Sequence, residues 1–385
     1  MNKSILITEK NKFVNFVEAL NSLKDIRDNR GKRHTYVFVI TSVVIAIMKG
    51  NSILSSIHRY MERNLALLRK ITKQSKATPI SRSHLPRFLE KLDWIDLNKM
   101  IELHFNIRVD EDVRDKWNAI DGKVMKGTIK YGDQQTMVHA VTHNERTEIA
   151  VARQIGKKSS EIPVVRKMIE ETGLENGNLT LDALHCNPET TEQINKACGS
   201  YLIQVKENQA ELLRQCKKTY QEDLPVGVKE DVEKGHGRLT TRLGGTFKID
   251  PTTLDKRWRP SGIKTLVVLE RDTMEMTTKK ETHETSYYIC NKSINSSALH
   301  TSSALISAVR NHWGVESNNW LLDVTFNEDN IKIKGGNQAQ VLGRLRSLSV
   351  DLMRRSGVTK IKEAIENYAD SNPTLLKMLK QVKFL

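Results

Sequence analysis

Three carboxylates occupy positions where a folded chain usually places apolar side chains. Asp121 follows Ala119 and Ile120 in an alternating, strand-like segment, and Asp182 lies within the apolar segment LTLDALH. Asp is depleted in strands, so two of them at sheet positions are locally unfavourable. Glu316 lies in the segment AVRNHWGVESNNWLLDVTFNEDN, whose apolar residues recur at helical spacing. Departures of this kind from local preference often coincide with function.

The face of the predicted helix that carries Glu316 is otherwise largely apolar. The other residues that share this face, at spacings of three or four, are Leu305, Val309, Trp313, Trp320 and Asp323. Burying a lone carboxylate is costly unless it stays protonated, so a cation is expected beside Glu316. One interpretation is a salt bridge, for example with Arg310. The other is a metal ion, which requires further carboxylates from elsewhere in the chain.

The segments around the two aspartates predict a mixed α/β sheet. From Trp117 onward three alternating segments form a meander, and two shorter strands, LTLDALH and YLIQVKE, follow it. Helices are predicted before each of these, at Ser160 to Thr172 and at Pro188 to Cys198. This order of elements is typical of an α/β fold. If the first and fourth strands are neighbours and the later helix packs across them, Asp121, Asp182 and Glu316 meet.

An all-α region is predicted before this core, over residues 1–112. Its helices are expected at Lys12 to Leu23, Tyr36 to Lys49 and Ile53 to Ile71, with the basic loop DIRDNRGKRH between the first two. We expect that loop to contact phosphate. A further helix opens near Ser81 or Ser83, and its buried side is formed by Leu85, Phe88, Leu89 and Leu92. Its outward side chains are Arg82, His84 and Arg87. They either contact DNA, as in a helix that enters a DNA groove, or form a plain solvated face.

Residues 113–206 are thus the first part of the core, and residues 207–295 predict a β-rich insertion after a helix near Gln209 to Tyr220. His236, Arg238 and Arg242 predict a basic hairpin within it. Trp258 lies in a polar stretch, where it either stacks on an unpaired base or covers core. Residues 296–385 return to the core with the Glu316 helix and end in basic helices.

The composition favours a polyanionic partner. Lys and Arg number 61 against 46 Asp and Glu, and the surplus lies at the ends: residues 1–110 carry 20 basic and 10 acidic side chains, and residues 329–385 carry 11 and 5. The longest apolar run, Val37 to Met48, is too short for a membrane span. Four cysteines show no zinc-binding spacing, and no secretion signal is visible. We therefore expect a cytoplasmic, nucleoid-associated protein with reduced thiols.

Several motifs together resemble the insertion-sequence transposases of the ISAs type, a branch that includes the H-repeat-associated proteins. They are IDGK at 120–123, LDALHC at 181–186, VKENQ at 205–209, GHGR at 235–238, and HWGVE with LDVTFNED within 312–329. The N-terminal segments DIRDNRGKRH and SRSHLPRFLEKLD match as well, so the resemblance covers nearly the whole chain. The chain departs from the family's pattern after Glu316, where its segment is one residue shorter. It also carries His312 where a related signature has Arg.

The resemblance implies an RNase H-like core with a DDE triad at Asp121, Asp182 and Glu316. It also implies metal-dependent strand cleavage and strand transfer on double-stranded DNA, at terminal inverted repeats and at a target, by a homodimer on paired ends. Two Mg²⁺ ions, or Mn²⁺, fit such chemistry, and we expect Asp121 to bridge them, with Asp182 on one and Glu316 on the other. Asp323, on the same helical face as Glu316, competes for the third position.

Further residues are expected to contact DNA around this triad. Lys123 and Arg310 would hold phosphates, and His312 would position water or DNA. Plain structural roles are open for all three: an exposed strand lysine, a surface arginine and a capped histidine. Two other functions stay open as well, a catalytically inactive DNA-binding descendant of such a transposase and a nuclease that cuts without joining.

Overall fold

A nine-stranded mixed sheet and a body of helices make up the protein. The computed structural model describes residues 15–25, 27, 33–107, 109–129, 135–154, 161–294, 299–330 and 337–385. None of the helices within these ranges is long and apolar enough to cross a membrane. The four cysteines are free thiols, three of them buried. The mixed α/β class and the helical N-terminal region predicted from the sequence are confirmed.

Among the described residues, the helical body contains six N-terminal helices. They are α1 (Phe16–Ala19), α2 (Tyr36–Met48), α3 (Leu54–Arg63), α4 (Leu65–Thr72), α5 (His84–Glu90) and α6 (Trp94–His104). Every residue of α2 is buried, because its run of apolar side chains leaves no polar face for water. The Thr35 hydroxyl caps it by accepting from the backbone N–H of Phe38 at 3.1 Å.

Three C-terminal helices complete this body: α13 (Asn337–Arg355), α14 (Ile361–Asp370) and α15 (Asn372–Gln381). Their apolar side chains share one core with α1 to α6. The two ends are also joined through the backbone, since the N–H of Phe16 donates to the carbonyl of Lys383 at 3.0 Å. The final helices therefore belong structurally with the beginning of the chain.

The predicted helix boundaries in this region agree only in part with the structure. Tyr36 to Lys49 is confirmed, whereas Ile53 to Ile71 is divided at Asn64 into α3 and α4. Within the described part of Lys12 to Leu23, α1 is followed by a 3-10 turn over Leu20–Ser22. Most of the basic loop DIRDNRGKRH and its expected phosphate contact lie outside the described residues.

The first half of the sheet is the predicted meander followed by two parallel strands. The strands are β1 (Trp117–Val124), β2 (Thr136–Thr142), β3 (Glu148–Gln154), β4 (Asn178–Leu181) and β5 (Ser200–Val205). Strand β1 pairs antiparallel with β2 and parallel with β4. The helices of this half are α7 (Glu111–Asp115), α8 (Lys126–Ile129), α9 (Glu161–Thr172) and α10 (Pro188–Lys196). Asp182 was expected inside the fourth strand, but β4 ends one residue before it.

The second half of the sheet continues the first without interruption. After α11 (Ala210–Glu222) come β6 (Gly227–Gly235), β7 (Arg238–Lys248), β8 (Thr265–Glu275) and β9 (Glu281–Cys290). Strand β9 pairs with β5, so the order across the sheet is β3-β2-β1-β4-β5-β9-β8-β7-β6. The β-rich residues after 207 thus extend the sheet of the core.

The long helix α12 (Leu299–Val324) covers one face of this sheet. It contacts β1 and β4 in the first half and β6, β7 and β8 in the second. Helix α9 packs against β2 and β3, and the apolar side chains of α9, α10 and α11 form a separate core with the sheet. The sheet is therefore a middle layer between α12 and a layer of shorter helices.

A buried ionic cluster joins the helical body to the sheet. The Glu148 carboxylate at the start of β3 accepts from Arg344 of α13 at 2.9 Å, and lies 2.9 Å from His139 Nδ1. Arg344 also donates to Asn98 of α6 at 2.6 Å. Burial alone would raise the pKa of Glu148, but the neighbouring Arg344 and His139 outweigh it and lower the pKa to about 2.

Replacing Glu148 by Gln should destabilise the protein by about 3–5 kcal/mol, because it leaves Arg344 buried and uncompensated. Because the pKa of Glu148 is lowered, this stabilisation is fully present at pH values above the ordinary pKa of 4.5 and is lost as the pH falls towards 2. The variant should therefore also lose less stability than the wild type over that acid range. Urea unfolding at several pH values measures both effects. The matched control is Glu145→Gln in the exposed turn before β3, and equal stability of the two variants would contradict the prediction.

Candidate active site

The pairing of β1 with β4 places two aspartates side by side. The parallel register runs from Trp117 opposite Asn178 to Ile120 opposite Leu181, so the next residues along the two strands are Asp121 and Asp182. Neighbouring strands lie about 4.8 Å apart. Because β4 ends at Leu181, Asp182 leaves the sheet and caps a 3-10 turn, its carboxylate accepting from the N–H of Leu184 at 3.1 Å. Asp121 and Asp182 are therefore neighbours, as the sequence predicts.

Glu316 of α12 faces the same place from above the sheet. It lines a cleft of about 520 Å³ together with Asp182, His143 and Lys206. The apolar face expected around Glu316 is only partly buried, since Leu305 and Val309 pack on the sheet while Trp313 and Trp320 are 52% and 61% exposed. Val315 packs on the sheet, whereas the side of the helix that carries Trp313, Glu316 and Trp320 is exposed, so Glu316 lies in a cleft rather than in a core.

The carboxylates repel one another at this point. Burial raises the pKa of Asp121 to about 6, and the negative charges acting in the same direction are those of Asp182, Glu161 and Glu316. Burial also raises the pKa of Asp182 and that of Glu316. The negative charge of Asp182 raises the pKa of Glu316 further. Lys206 partly offsets this for Glu316. The cluster therefore has the electrostatic character of a cation-binding site.

Two polar side chains lie beside the aspartates. Asn319, one turn after Glu316, donates to Asp121 Oδ2 at 2.8 Å. His185 is fully buried, with its Nε2 at 3.0 Å from Glu161 Oε1 and 3.8 Å from Asp182 Oδ1. Glu161 is the first residue of α9, on the far face of the sheet.

Lys123, expected to hold phosphate or to lie exposed on its strand, is buried among carboxylates. It is 6% exposed, and its Nζ lies 2.7 Å from both Asp323 and Glu328 and 3.6 Å from Asp329. Its position two residues after Asp121 on β1 turns it to the same face of the sheet, towards the end of α12. Asp323, the competing third carboxylate, is thus paired with a buried lysine.

Arg310 pairs with acids other than Glu316, and its predicted contact with phosphate stays a prediction. It pairs with Asp231 and, at 3.0 Å, with Glu233, both on β6. Arg310 and Glu316 are six residues apart on α12, which places their side chains about 120° from each other around the helix. Arg310 remains 45% exposed at the rim of the cleft.

His312 is a neutral side chain at this site. Its Nδ1 lies 2.9 Å from the Thr180 hydroxyl, which also lies 2.9 Å from His143 Nε2. Burial lowers the pKa of His312 to about 4 and that of His143 to about 3. Neither ring carries a charge at neutral pH, so His312 does not serve as a cation for phosphate. It lines the cleft and is placed to contact water or substrate there.

The remaining residues predicted to bind DNA are divided between exposed and buried positions. Arg82, just before α5, and Arg87, in its last turn, are exposed, as expected. His236 and Arg238 are exposed at the tip of the β6–β7 hairpin, where His236 adopts a positive φ of 51°. Trp258 was a candidate for base stacking but is 2% exposed, because it fills the core between the sheet and its shorter helices.

The donor set fits a hard divalent cation. Carboxylate oxygens are the ligands that Mg²⁺ prefers, and the pKa of Asp121 is raised by burial and by the neighbouring carboxylates. Among the described residues, no three His, Cys, Asp or Glu side chains are grouped tightly enough to hold an ion as they stand. Binding therefore requires the carboxylates to move together, which their mutual repulsion opposes until a cation is present.

Three residues around the triad were missed by the sequence analysis. They are Glu161, His185 and Lys206, and each lies in a segment that was assigned only a structural or motif role. His185 belongs to LDALHC and Lys206 to VKENQ, so the motifs contained both without indicating their contacts. Glu161 carries no local signal, because its proximity to Asp121 depends on how α9 crosses the sheet.

Lys123→Met should destabilise the protein by about 3 kcal/mol, at the lower end of the range for breaking a buried ion pair. The reason is that Asp323 and Glu328 lose the cation between them. Lys126→Met, which removes an exposed partner of Asp329, is the matched control and should change stability little. Urea unfolding compares them. If Lys123→Met were as stable as the control while DNA affinity fell, the original phosphate-binding expectation would be restored.

Comparison with known proteins identifies the family of the chain. The family profile described as Transposase DDE domain matches residues 115–350, and the one described as DDE_Tnp_1-associated matches residues 17–104. The chain is 25% identical over 354 residues to the putative transposase YncI of Escherichia coli O157:H7, covering 88% of this chain and 87% of that protein. It is 26% identical over 362 residues to the H repeat-associated putative transposase YhhI of Escherichia coli K12, covering 89% and 91%. The chain belongs to the DDE transposase family and has its RNase H-like α/β core.

Proposed function

We propose that this transposase binds the terminal inverted repeats of its insertion sequence and catalyses metal-dependent DNA cleavage and strand transfer through Asp121, Asp182 and Glu316. The observation that supports it most is the register of β1 and β4, which sets the two aspartates side by side beneath Glu316. The family acts on DNA, and a divalent metal is its general cofactor. The residue assignment and the substrate ends are our proposal.

Each side chain has a distinct part in this chemistry. Asp121, Asp182 and Glu316 would hold the divalent cations, with Mg²⁺ or Mn²⁺ supplying an activated water and stabilising the leaving 3′ oxygen. Asn319 orients Asp121 by donating to Oδ2 and leaves the other oxygen free of that bond. Lys206 lies beside Glu316 in the cleft, where it can neutralise a phosphate of the bound strand.

The DNA contacts that extend beyond the cleft would come from exposed basic residues. The exposed side chains are Arg82 just before α5, Arg87 on α5, and His236 and Arg238 on the β6–β7 hairpin. Such contacts to phosphate provide affinity and register but little sequence information. Pairing two inverted repeats is the reason to propose a homodimer, with one protomer acting at each end.

Asp121→Asn and Glu316→Gln should each lower cleavage of a duplex carrying the element's inverted repeats by more than about 100-fold, since even outer partners of a metal contribute about 10–100-fold. Binding to the same DNA should remain, because the basic residues are unchanged. The measurement is nicking of labelled repeat DNA with Mg²⁺ or Mn²⁺, alongside a gel-shift titration. Glu170→Gln, an exposed change on α9, is the control.

Other outcomes would assign a different function. Loss of cleavage in Asp323→Asn, with cleavage retained in Glu316→Gln, would transfer the third position to Asp323. Binding without nicking in the wild type would indicate a catalytically inactive DNA-binding descendant. Nicking without joined products would indicate a nuclease. Helix α12 continues without a break through Ser317, Asn318 and Asn319, so the shortened segment leaves Glu316 in the cleft.

Divalent-cation binding should strengthen as the pH rises through about 6. The raised pKa of Asp121 leaves its carboxylate mostly protonated at pH 5 and mostly ionised at pH 7, and a ligand must be deprotonated to bind metal. We expect Mn²⁺ affinity at pH 5 to be about tenfold lower than at pH 7, as one proton per site predicts. Calorimetric titration of the protein with Mn²⁺ measures it. An affinity independent of pH over this range would exclude Asp121 as a ligand.

A further inference from the structure

A fourth carboxylate approaches the triad from the opposite side of the sheet. Glu161 begins α9, which packs against β2 and β3 on the face away from α12. Its carboxylate lies against Gly122, the residue directly after Asp121. A Cβ added at Gly122 would overlap the Glu161 carboxylate. The absence of a side chain at position 122 is therefore what lets Glu161 come so close to the backbone of β1.

The chain leaves the sheet at the end of β4, and the turn that follows brings His185 to Glu161. The strand stops at Leu181, and the chain then turns away through Ala183–His185. His185 of that turn is fully buried, and its Nε2 lies 3.0 Å from Glu161 Oε1. Since a carboxylate only accepts, Nε2 carries the hydrogen. The same nitrogen is 3.8 Å from Asp182 Oδ1, beyond hydrogen-bonding distance, so one imidazole bonds Glu161 and lies beside Asp182 at the edge of the sheet.

This placement is unfavourable unless something positive joins it. The charge of Glu161 acts on both Asp121 and Asp182. Among the described residues, His185 is the one ion-pair partner of Glu161, and that imidazole is shared. A helix that began with a smaller or neutral side chain would avoid the repulsion. A divalent cation would turn the repulsion into attraction, because it can bind oxygens from several carboxylates at once.

We infer that Glu161 is a fourth carboxylate of the divalent-cation site, positioned by His185 and admitted by Gly122. This rests on the proposed function, since it adds a ligand to the site of Asp121, Asp182 and Glu316. The metal-binding side chains then come from both faces of the sheet. Glu316 approaches from α12, and Glu161 approaches from α9.

The test measures Mn²⁺ binding to the full-length protein by electron paramagnetic resonance of the free ion, without DNA cleavage as the readout. Glu161→Gln keeps the shape and still accepts from His185, but removes the charge. We expect it to weaken Mn²⁺ binding about tenfold or more. Glu170→Gln, on the same helix, should bind as the wild type does.

Gly122→Ala provides an independent variant, because its Cβ displaces the Glu161 carboxylate while all charges remain. It should weaken Mn²⁺ binding to a similar extent in the wild type and add little in the Glu161→Gln background. Unfolding midpoints of each variant show whether a change in binding reflects loss of the fold.

The Asp121→Asn variant separates the two proposals. If it loses Mn²⁺ binding while Glu161→Gln and Gly122→Ala bind as the wild type does, the inference about Glu161 is overturned and the triad stands. Full additivity of Gly122→Ala and Glu161→Gln would also overturn it, since the two changes would then act through different contacts. If the wild-type protein binds no Mn²⁺, the proposed metal site and this extension of it are both wrong.

Discussion

The parallel pairing of β1 with β4 is the constraint on which the site depends. A shift of one residue in this register would move Asp121 and Asp182 out of alignment along the strands. It would also turn one of the two side chains to the other face of the sheet. The register is fixed by four backbone pairs and by the apolar side chains of both strands, which are buried on both sides. Hydrophobic packing thus holds two negative charges together that would otherwise separate. The stability of the sheet compensates for that repulsion.

Most of the basic side chains near the carboxylates are either paired with other acids or neutral. Lys123 is surrounded by the acids at the end of α12, Arg310 is paired with β6, and the pKa values of His312 and His143 keep both rings neutral. A protein cation placed directly on the aspartates would compete with a metal ion, since both require the same oxygens. Lys206 and Arg310 line the cleft together with Asp182 and Glu316, so side chains of both signs face it, as the proposed binding of phosphate and metal requires.

The fold and the centre of the site could be predicted from the sequence, while the fate of individual side chains could not. Alternating and helical periods gave the order of elements, and Asp121 with Asp182 stood out because aspartates are unfavourable at sheet positions. Burial could not be read in the same way for Trp258 or Lys123, because it depends on helices distant in sequence. Glu161 was missed for the same reason. Its contact with Gly122 links two segments whose separation along the chain gives no periodic signal.

The strands after residue 207 also position Glu316. The first half of α12 lies on these strands, where Ile306 packs so closely over Gly244 that a Cβ there would overlap it, and Arg310 is held by Asp231 and Glu233. The far end of the helix is fixed by Lys123 of β1 through Asp323. Glu316 lies between these two attachments, on a stretch where Val315 packs against the sheet and Asn319 donates to Asp121. The helix is thus fixed along its length, which holds the Glu316 carboxylate at the cleft while its own side of the helix stays exposed.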